Sequence, residues 1–238
     1  MIERVTITGA DNSVHPKELV GLSTVYPFVE WGILLPQSEA TGLYRFPTKQ
    51  WILDLLHLCT ELDGGDVYSS IKLSAHICPP YSTDIIQTGD IDNVLEDLDI
   101  DLSSFGRIQL NVHGIPLSSY CSQFVDWCKN SPQEIILQAD GVNDWIARGI
   151  PNTSVLYDTS SGAGIFPDQW PNPTQSEKFF GYAGGLNIDT LPSAIQEWTN
   201  KGISKPFWID LETGVRREGL FNVSKTQEIL DYTRSYIG

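Results

Sequence analysis

The sequence predicts a (β/α)8 barrel, a TIM barrel, on three observations. Eight short apolar runs, read with a period of two, each split into an oily parity and a polar one, and the polar residues fall at the C-terminal ends of the runs. They are Thr6 and Thr8, Glu30 and Gly32, Ser74 and His76, Gln109 and Asn111, Gln138 and Asp140, Asp158, Gly184, and Asp210 and Glu212, whereas neighbours such as Val5, Ile7, Trp31, Ile33, Leu73, Ile108, Leu137, Val155 and Ile209 are apolar. Successive strand side chains point to opposite faces, so the oily parity can pack under covering helices while the polar parity converges on a common axis. Second, the strand-then-helix rhythm runs from Arg4 to Ile237 with no Pro/Gly/Ser-rich spacer, which predicts one domain over 1–238. Third, glycine-bearing loops follow strands six, seven and eight, all at the same end. An open doubly wound sheet is the alternative, but its strands would be apolar on both faces.

Taken in order, strand one covers Arg4 to Thr8, and its helix starts at Pro16 after a turn at Ser13 and His15. Strand two, Val29 to Leu35, stops at Pro36, and a long loop runs through Arg45. Helix two begins near Thr48, a capping residue; Trp51, Leu55, Leu58 and Leu62 recur at helical spacing until Gly64 and Gly65 end it. Strand three, Ser70 to Ile77, breaks at Pro79-Pro80. A helix over Ile91 to Leu102, strand four over Arg107 to Val112 and helix four over Pro116 to Lys129 follow. Glu134 to Ala139 is strand five, Val142 to Arg148 a short helix, and Ser154 to Asp158 strand six. The segment Pro167 to Pro173 reads as irregular structure. Strand seven is Lys178 to Ala183, helix seven Leu191 to Asn200, strand eight Pro206 to Leu211 and the last helix Ser224 to Tyr236.

The formal net charge of -15 argues against nucleic acid or an anionic membrane as partner, because phosphate surfaces need a basic footprint. A small-molecule substrate is the expected partner, and the oligomeric state stays open. The N-terminus runs straight into a strand without a basic segment and an apolar signal region, so a cytoplasmic location is expected. Cys59, Cys78, Cys121 and Cys128 form no C-x-x-C pair and read as reduced thiols.

Three loops carry local chemistry: Asp158-Thr-Ser-Ser-Gly-Ala-Gly164, Ala183-Gly-Gly-Leu-Asn187 and Asp210-Leu-Glu-Thr-Gly-Val215. Glycines let backbone approach a ligand, and exposed N–H groups can cradle an anion, most often after barrel strands seven and eight. Together with Val5-Thr-Ile-Thr-Gly9, Gly32, Arg45 with Pro47, and Ile108-Gln-Leu110, these motifs resemble phosphoribosylanthranilate isomerase of tryptophan biosynthesis over most of the chain. The resemblance implies an Amadori-type isomerisation of a sugar phosphate or N-glycosyl compound, with phosphate held by Gly162, Gly164, Gly184, Gly185, Thr213 and Gly214. It implies that Asp158 is the acid, and that Arg45 lies where the family grips an anionic substrate. The family's base is a strand-one cysteine, and Thr8 stands at that position. A hydroxyl is too weak an acid to supply a base at neutral pH, which argues against the tryptophan-pathway reaction itself. Glu212 also stands where the family has a serine near the phosphate, with Arg216 or Arg217 as candidates to offset its charge.

Apart from the resemblance, carboxylates crowded at one end push their pKa values apart, which suits one acid and one base. Asp158 is the expected acid and Asp140 or Asp210 the base, with Thr8, Arg45, His76, Asn111, His113 and Glu212 binding substrate. A carboxylate-based hydrolase or lyase of a nucleoside or glycoside, and a non-catalytic binding barrel, are the alternatives. His76, Asp140, Asp210 and Glu212 offer mixed metal ligands, but no H-x-H or H-E-x-x-H spacing supports a metal, and no cofactor is expected. Trp208 shares the parity of Asp210, which places it in the barrel interior. Trp170 reads as a hydrophobic anchor of its loop, with a lid as the alternative.

Overall fold

The computed structural model describes residues 1–35, 45–62, 71–89, 91–112, 120–139, 149–158, 160, 163–172 and 178–238. Eight parallel strands close in chain order: β1 (Ile2–Thr8), β2 (Val29–Leu35), β3 (Lys72–Ile77), β4 (Arg107–Leu110), β5 (Glu134–Ala139), β6 (Thr153–Asp158), β7 (Phe180–Ala183) and β8 (Phe207–Leu211). The ring is sealed by β8 against β1, with Thr6 opposite Asp210 and Ile7 opposite Leu211. Closure removes the open edges of the alternative sheet.

The helices are α1 (Pro16–Val25), α2 (Lys49–Leu62), α3 (Tyr81–Thr88), α4 (Asp92–Leu98), α5 (Ser122–Asn130), α6 (Leu191–Asn200) and α7 (Val223–Arg234). Their caps are local chemistry. His15 Nδ1 accepts from the Lys17 N–H ahead of Pro16, and Asn222 Oδ1 accepts from the Lys225 N–H. Three expectations need correction. Helix α3 starts directly after Pro79-Pro80, where only a break was expected. The helix expected over Ile91 to Leu102 ends at Leu98, because Asp99 turns left-handed at φ 47° and a 3-10 turn takes Leu102–Ser104. Strand four stops at Leu110 rather than Val112. The expected helix over 142–148 lies outside the described residues, as does the start of the one at 116. A small hairpin not read from the sequence, β9 (Arg216–Arg217) with β10 (Leu220–Phe221), follows β8.

The oily parity packs between strands and helices: Val5, Ile7, Trp31, Ile33, Ile135 and Ile209 are fully buried in one core. Trp170 belongs to it as an anchor, 1% exposed and 5.2 to 5.6 Å from the rings of Tyr182, Trp198 and Phe166. The polar parity fills the barrel axis. Toward its N-terminal end, Glu30 accepts from Arg4 Nη1 at 2.8 Å, Thr6 Oγ1 at 2.8 Å and Arg107 Nε at 2.9 Å, with Arg107 Nη2 on its other oxygen. Burial alone would raise the Glu30 carboxyl, but Arg107 and Arg4 overcome it and hold it at about 2. The Arg107 guanidinium lies 4.4 Å over the Trp208 ring, which sits in the interior as its parity required. Gly181 leaves room for that indole: a Cβ there would be 2.2 Å from it.

Among the described residues no helix is long and apolar enough to cross a membrane. Cys59 and Cys128 are buried, and Cys78 and Cys121 are partly exposed.

Candidate active site

At the C-terminal ends of the strands the polar parity opens into a cavity of about 220 Å³. Thr8, Arg45, His76, Asn111, Asp158, Asp210 and Glu212 all line it, brought together from β1, β3, β4, β6, β8 and the adjoining loops. Gly164, Gly184, Gly185 and Thr213 form its wall. Gly214 does not reach the cavity; a Cβ there would lie 2.2 Å from the Leu186 carbonyl oxygen, so its role is close packing between two loops. Asp140, His113 and Gly162 lie outside the described residues. Among the wall residues that sequence reasoning did not name as site residues are Cys78, Gln109, Gln138 and Ser160. Gln109 and Gln138 carried the right parity, and amide side chains in a barrel interior were the missed signal.

The carboxylates differ in their surroundings. Asp158 and Asp210 occupy the same level on either side of Ala183, a separation of about 10 Å between backbones at two strand spacings. Asp158 Oδ1 accepts from the Ser160 N–H at 3.0 Å and its hydroxyl at 2.7 Å, and Oδ2 from Gln138 Nε2 at 3.4 Å. Among the described residues Asp210 has one donor, Thr8 Oγ1 at 2.6 Å. Burial, reinforced by the charges of Glu212, Asp158 and Glu30, pushes Asp210 up to about 7 against the pull of that hydrogen bond. Thr8 is held against Asp210 by shape as well: a Cβ on Gly32 would come within 2.3 Å of Thr8 Oγ1 and 2.8 Å of the His76 ring.

His76 is 1% exposed, and burial pushes its imidazole down to about 3, with Arg107 and Arg45 acting in the same direction. It is neutral at physiological pH. Its Nδ1 is 3.3 Å from Gln109 Nε2, which also donates to Asn111 Oδ1 at 2.9 Å; Asn111 Nδ2 donates to Cys78 Sγ at 3.3 Å. With the Gln109 amide donating, Nδ1 accepts and Nε2 carries the proton. His76 Nε2, Gln109 Oε1 and Gln138 Oε1 are buried without a hydrogen-bond partner among the described residues. One donor and two acceptors in a cavity wall suit hydroxyl groups.

Arg45 and Glu212 form an ion pair at the rim, with Nε 2.9 Å from Oε1 and Nη2 donating to Oε2 at 3.1 Å. Of the two arginines expected to offset Glu212, Arg216 contributes through its charge, and Arg45 is the ion-pair partner. Arg216 also pairs with Asp11 at 2.5 Å and donates to the Gly9 carbonyl. Burial raises the Glu212 carboxyl, and the Arg45 and Arg216 charges oppose it. The glycine loops interlock: a Cβ on Gly185 would be 2.2 Å from the Phe166 nitrogen, and one on Gly164 would be 2.9 Å from Thr213 Oγ1. Among the described residues no group of three or more His, Cys, Asp and Glu side chains is arranged to hold a metal.

No protein-family model matches the chain, and no curated protein sequence matches it. Solved structures do. N-(5'-phosphoribosyl)anthranilate isomerase from Pyrococcus furiosus superposes with a TM-score of 0.58 at 12% identity, covering 98% of this chain and 99% of that one. KGPDC from Streptococcus mutans gives 0.53 at 11% over the whole of both chains, and D-psicose 3-epimerase from Clostridium cellulolyticum H10, solved with D-tagatose, gives 0.51 at 11% over 99% of each. At these identities the likeness shows the TIM-barrel fold.

Proposed function

We propose that this barrel is an acid/base isomerase acting on a sugar or N-glycosyl small molecule in the cavity at its C-terminal mouth. The observation that carries the reading is the pair of carboxyls across that cavity. Asp210 is pushed up to about 7 by burial, and Asp158 accepts hydrogen bonds from the Ser160 N–H and hydroxyl and from the Gln138 amide. An acid is most effective when its pKa lies near the operating pH. Asp210 in its protonated form donates to the ring or carbonyl oxygen of the substrate. Asp158 as the carboxylate takes the proton from the neighbouring carbon, and the electron pair of that C–H bond moves toward the oxygen. Asp158 then delivers its proton to the former carbonyl carbon while the hydroxyl on the deprotonated carbon gives its proton back to Asp210 and becomes the new carbonyl, so both carboxyls end as they began. These roles are the reverse of the sequence expectation, which gave the acid to Asp158. Thr8 serves the acid rather than the base, since a hydroxyl can donate to ionised Asp210 and accept from its protonated form. His76 Nε2 and the two amide oxygens bind substrate hydroxyls.

The fold by itself carries no activity, although isomerases and epimerases are among the structures that share it. The test is a panel of aldoses, ketoses and N-glycosyl amines incubated in D2O and followed by NMR. Isomerisation with deuterium entering at the carbon beside the carbonyl supports the reading. Release of a free base or sugar replaces it with the hydrolase, and thermal stabilisation without turnover replaces it with a binding protein. Asp210→Asn and Asp158→Asn should each lower kcat by about 10²- to 10⁴-fold. Turnover unchanged in either removes that residue from the mechanism.

A further inference from the structure

We propose that Glu212 sets the charge of the substrate: it is a counter-anion built into the cavity wall, which neutralises Arg45 and so excludes phosphate-bearing and other anionic molecules from the site. The inference rests on reading this cavity as the substrate site and names the class admitted, neutral polyhydroxylated molecules.

Arg45 is the one Lys or Arg side chain lining the cavity among the described residues, against the carboxyls of Asp158, Asp210 and Glu212. Its placement is built. The backbone of Arg45 is left-handed at φ 70°, a conformation that a long side chain adopts only where surrounding contacts impose it. Here the Arg45 N–H donates to Asp11 Oδ2 at 3.1 Å. Asp11 is itself fixed by the Ser13 N–H at 2.9 Å, the Ser13 hydroxyl and Arg216. Loops after β1 and β8 thus clamp the residue that presents the guanidinium.

That guanidinium is then spent inside the protein. Glu212 accepts from its Nη2 through Oε2 at 3.1 Å and holds Oε1 2.9 Å from Nε in ion-pair contact, occupying the edge of the guanidinium that an arginine offers to a carboxylate or phosphate ligand. Glu212 shares the cavity wall with Gly164, Gly184, Gly185 and Thr213, loops of the kind that otherwise cradle an anion. An anionic substrate must displace Glu212 from Arg45 and then sit beside three carboxyls, whereas a neutral one leaves the pair intact. Replacing Glu212 by glutamine removes one negative charge and frees one positive charge at the same spot.

The experiment is calorimetric titration of inorganic phosphate into the wild type, Glu212→Gln and the double variant Glu212→Gln with Arg45→Met, with Glu212→Ala as a second single variant should the glutamine form fail to fold. Phosphate should bind the single variant about tenfold or more tightly than the wild type, and the gain should vanish in the double variant. Equal binding to wild type and single variant, or a gain that survives loss of Arg45, overturns the proposal. The titration needs no turnover, so its failure leaves the acid/base reading standing, and a silent substrate panel leaves this inference standing.

Discussion

Glu30 and Asp210 are both carboxyls of the polar parity, both buried on the barrel axis, and they are driven in opposite directions. Glu30, on the floor, is 1% exposed and held at about 2; Asp210, at the mouth, is 7% exposed and pushed up to about 7. Depth does not separate them, because burial raises both. The sign of the company does. Glu30 faces two guanidiniums and a hydroxyl, while Asp210 faces Glu212, Asp158 and, from below, Glu30 itself. One half of the axis is closed upon itself as an ion network, and the other is left with like charges that only a proton relieves.

The contrast is broken most severely from the floor. Arg107→Met leaves Glu30 buried beside Arg4 alone, and chemical denaturation should show a loss of about 3–5 kcal/mol. A loss under about 1 kcal/mol would mean that the floor tolerates an unpaired charge and that pairing does not distinguish the two regions. The next effect is of opposite sign at the two ends. The lowered Glu30 contributes stability that is complete above its ordinary value of 4.5 and lost as pH falls toward about 2. Asp210 keeps its proton in the folded chain between 3.8 and about 7 while the unfolded chain does not, so on its account stability declines as pH rises through that window. Asp210→Asn should therefore be more stable than the wild type above pH 7, on the order of 2–4 kcal/mol, in melts followed by circular dichroism. Equal stability at pH 8 would show that the mouth bears no such strain. The smallest change is Thr8→Val, which keeps the shape and deletes the donor to Asp210. It should cost about 1 kcal/mol and move the alkaline limb of the pH–rate profile upward, since that hydrogen bond lowers Asp210. A limb that stays in place would detach Thr8 from the tuning.

The barrel was legible because a period of two survives any change of scale: each strand declares its inward face alone, and eight such faces at one end define a mouth. Helix α3 was not, since it spans Tyr81–Thr88 with few apolar residues and starts at a proline pair that reads as a stop. The membership of the cavity was largely legible for the same reason as the barrel. The pairings inside it were not. Arg45 and Glu212 are 167 residues apart and Arg107 and Glu30 are 77 apart, so no spacing rule joins them. Which carboxyl holds the proton depends on those pairings, and motif position alone carries no information about them. Gly214 shows a second use of glycine at the mouth, because a loop that must approach another loop asks for it as firmly as one that must approach a ligand.

The hydrogen bond from Thr8 to Asp210 links the first strand to the last across 202 residues. Nothing made early in synthesis contains both ends of it, and the seam between β8 and β1 is a late event in any order of folding that starts from local contacts. A partly wound ring leaves Asp210 in water with an ordinary acidity, so the same protonation that suits the group for chemistry also marks a chain whose ring has shut.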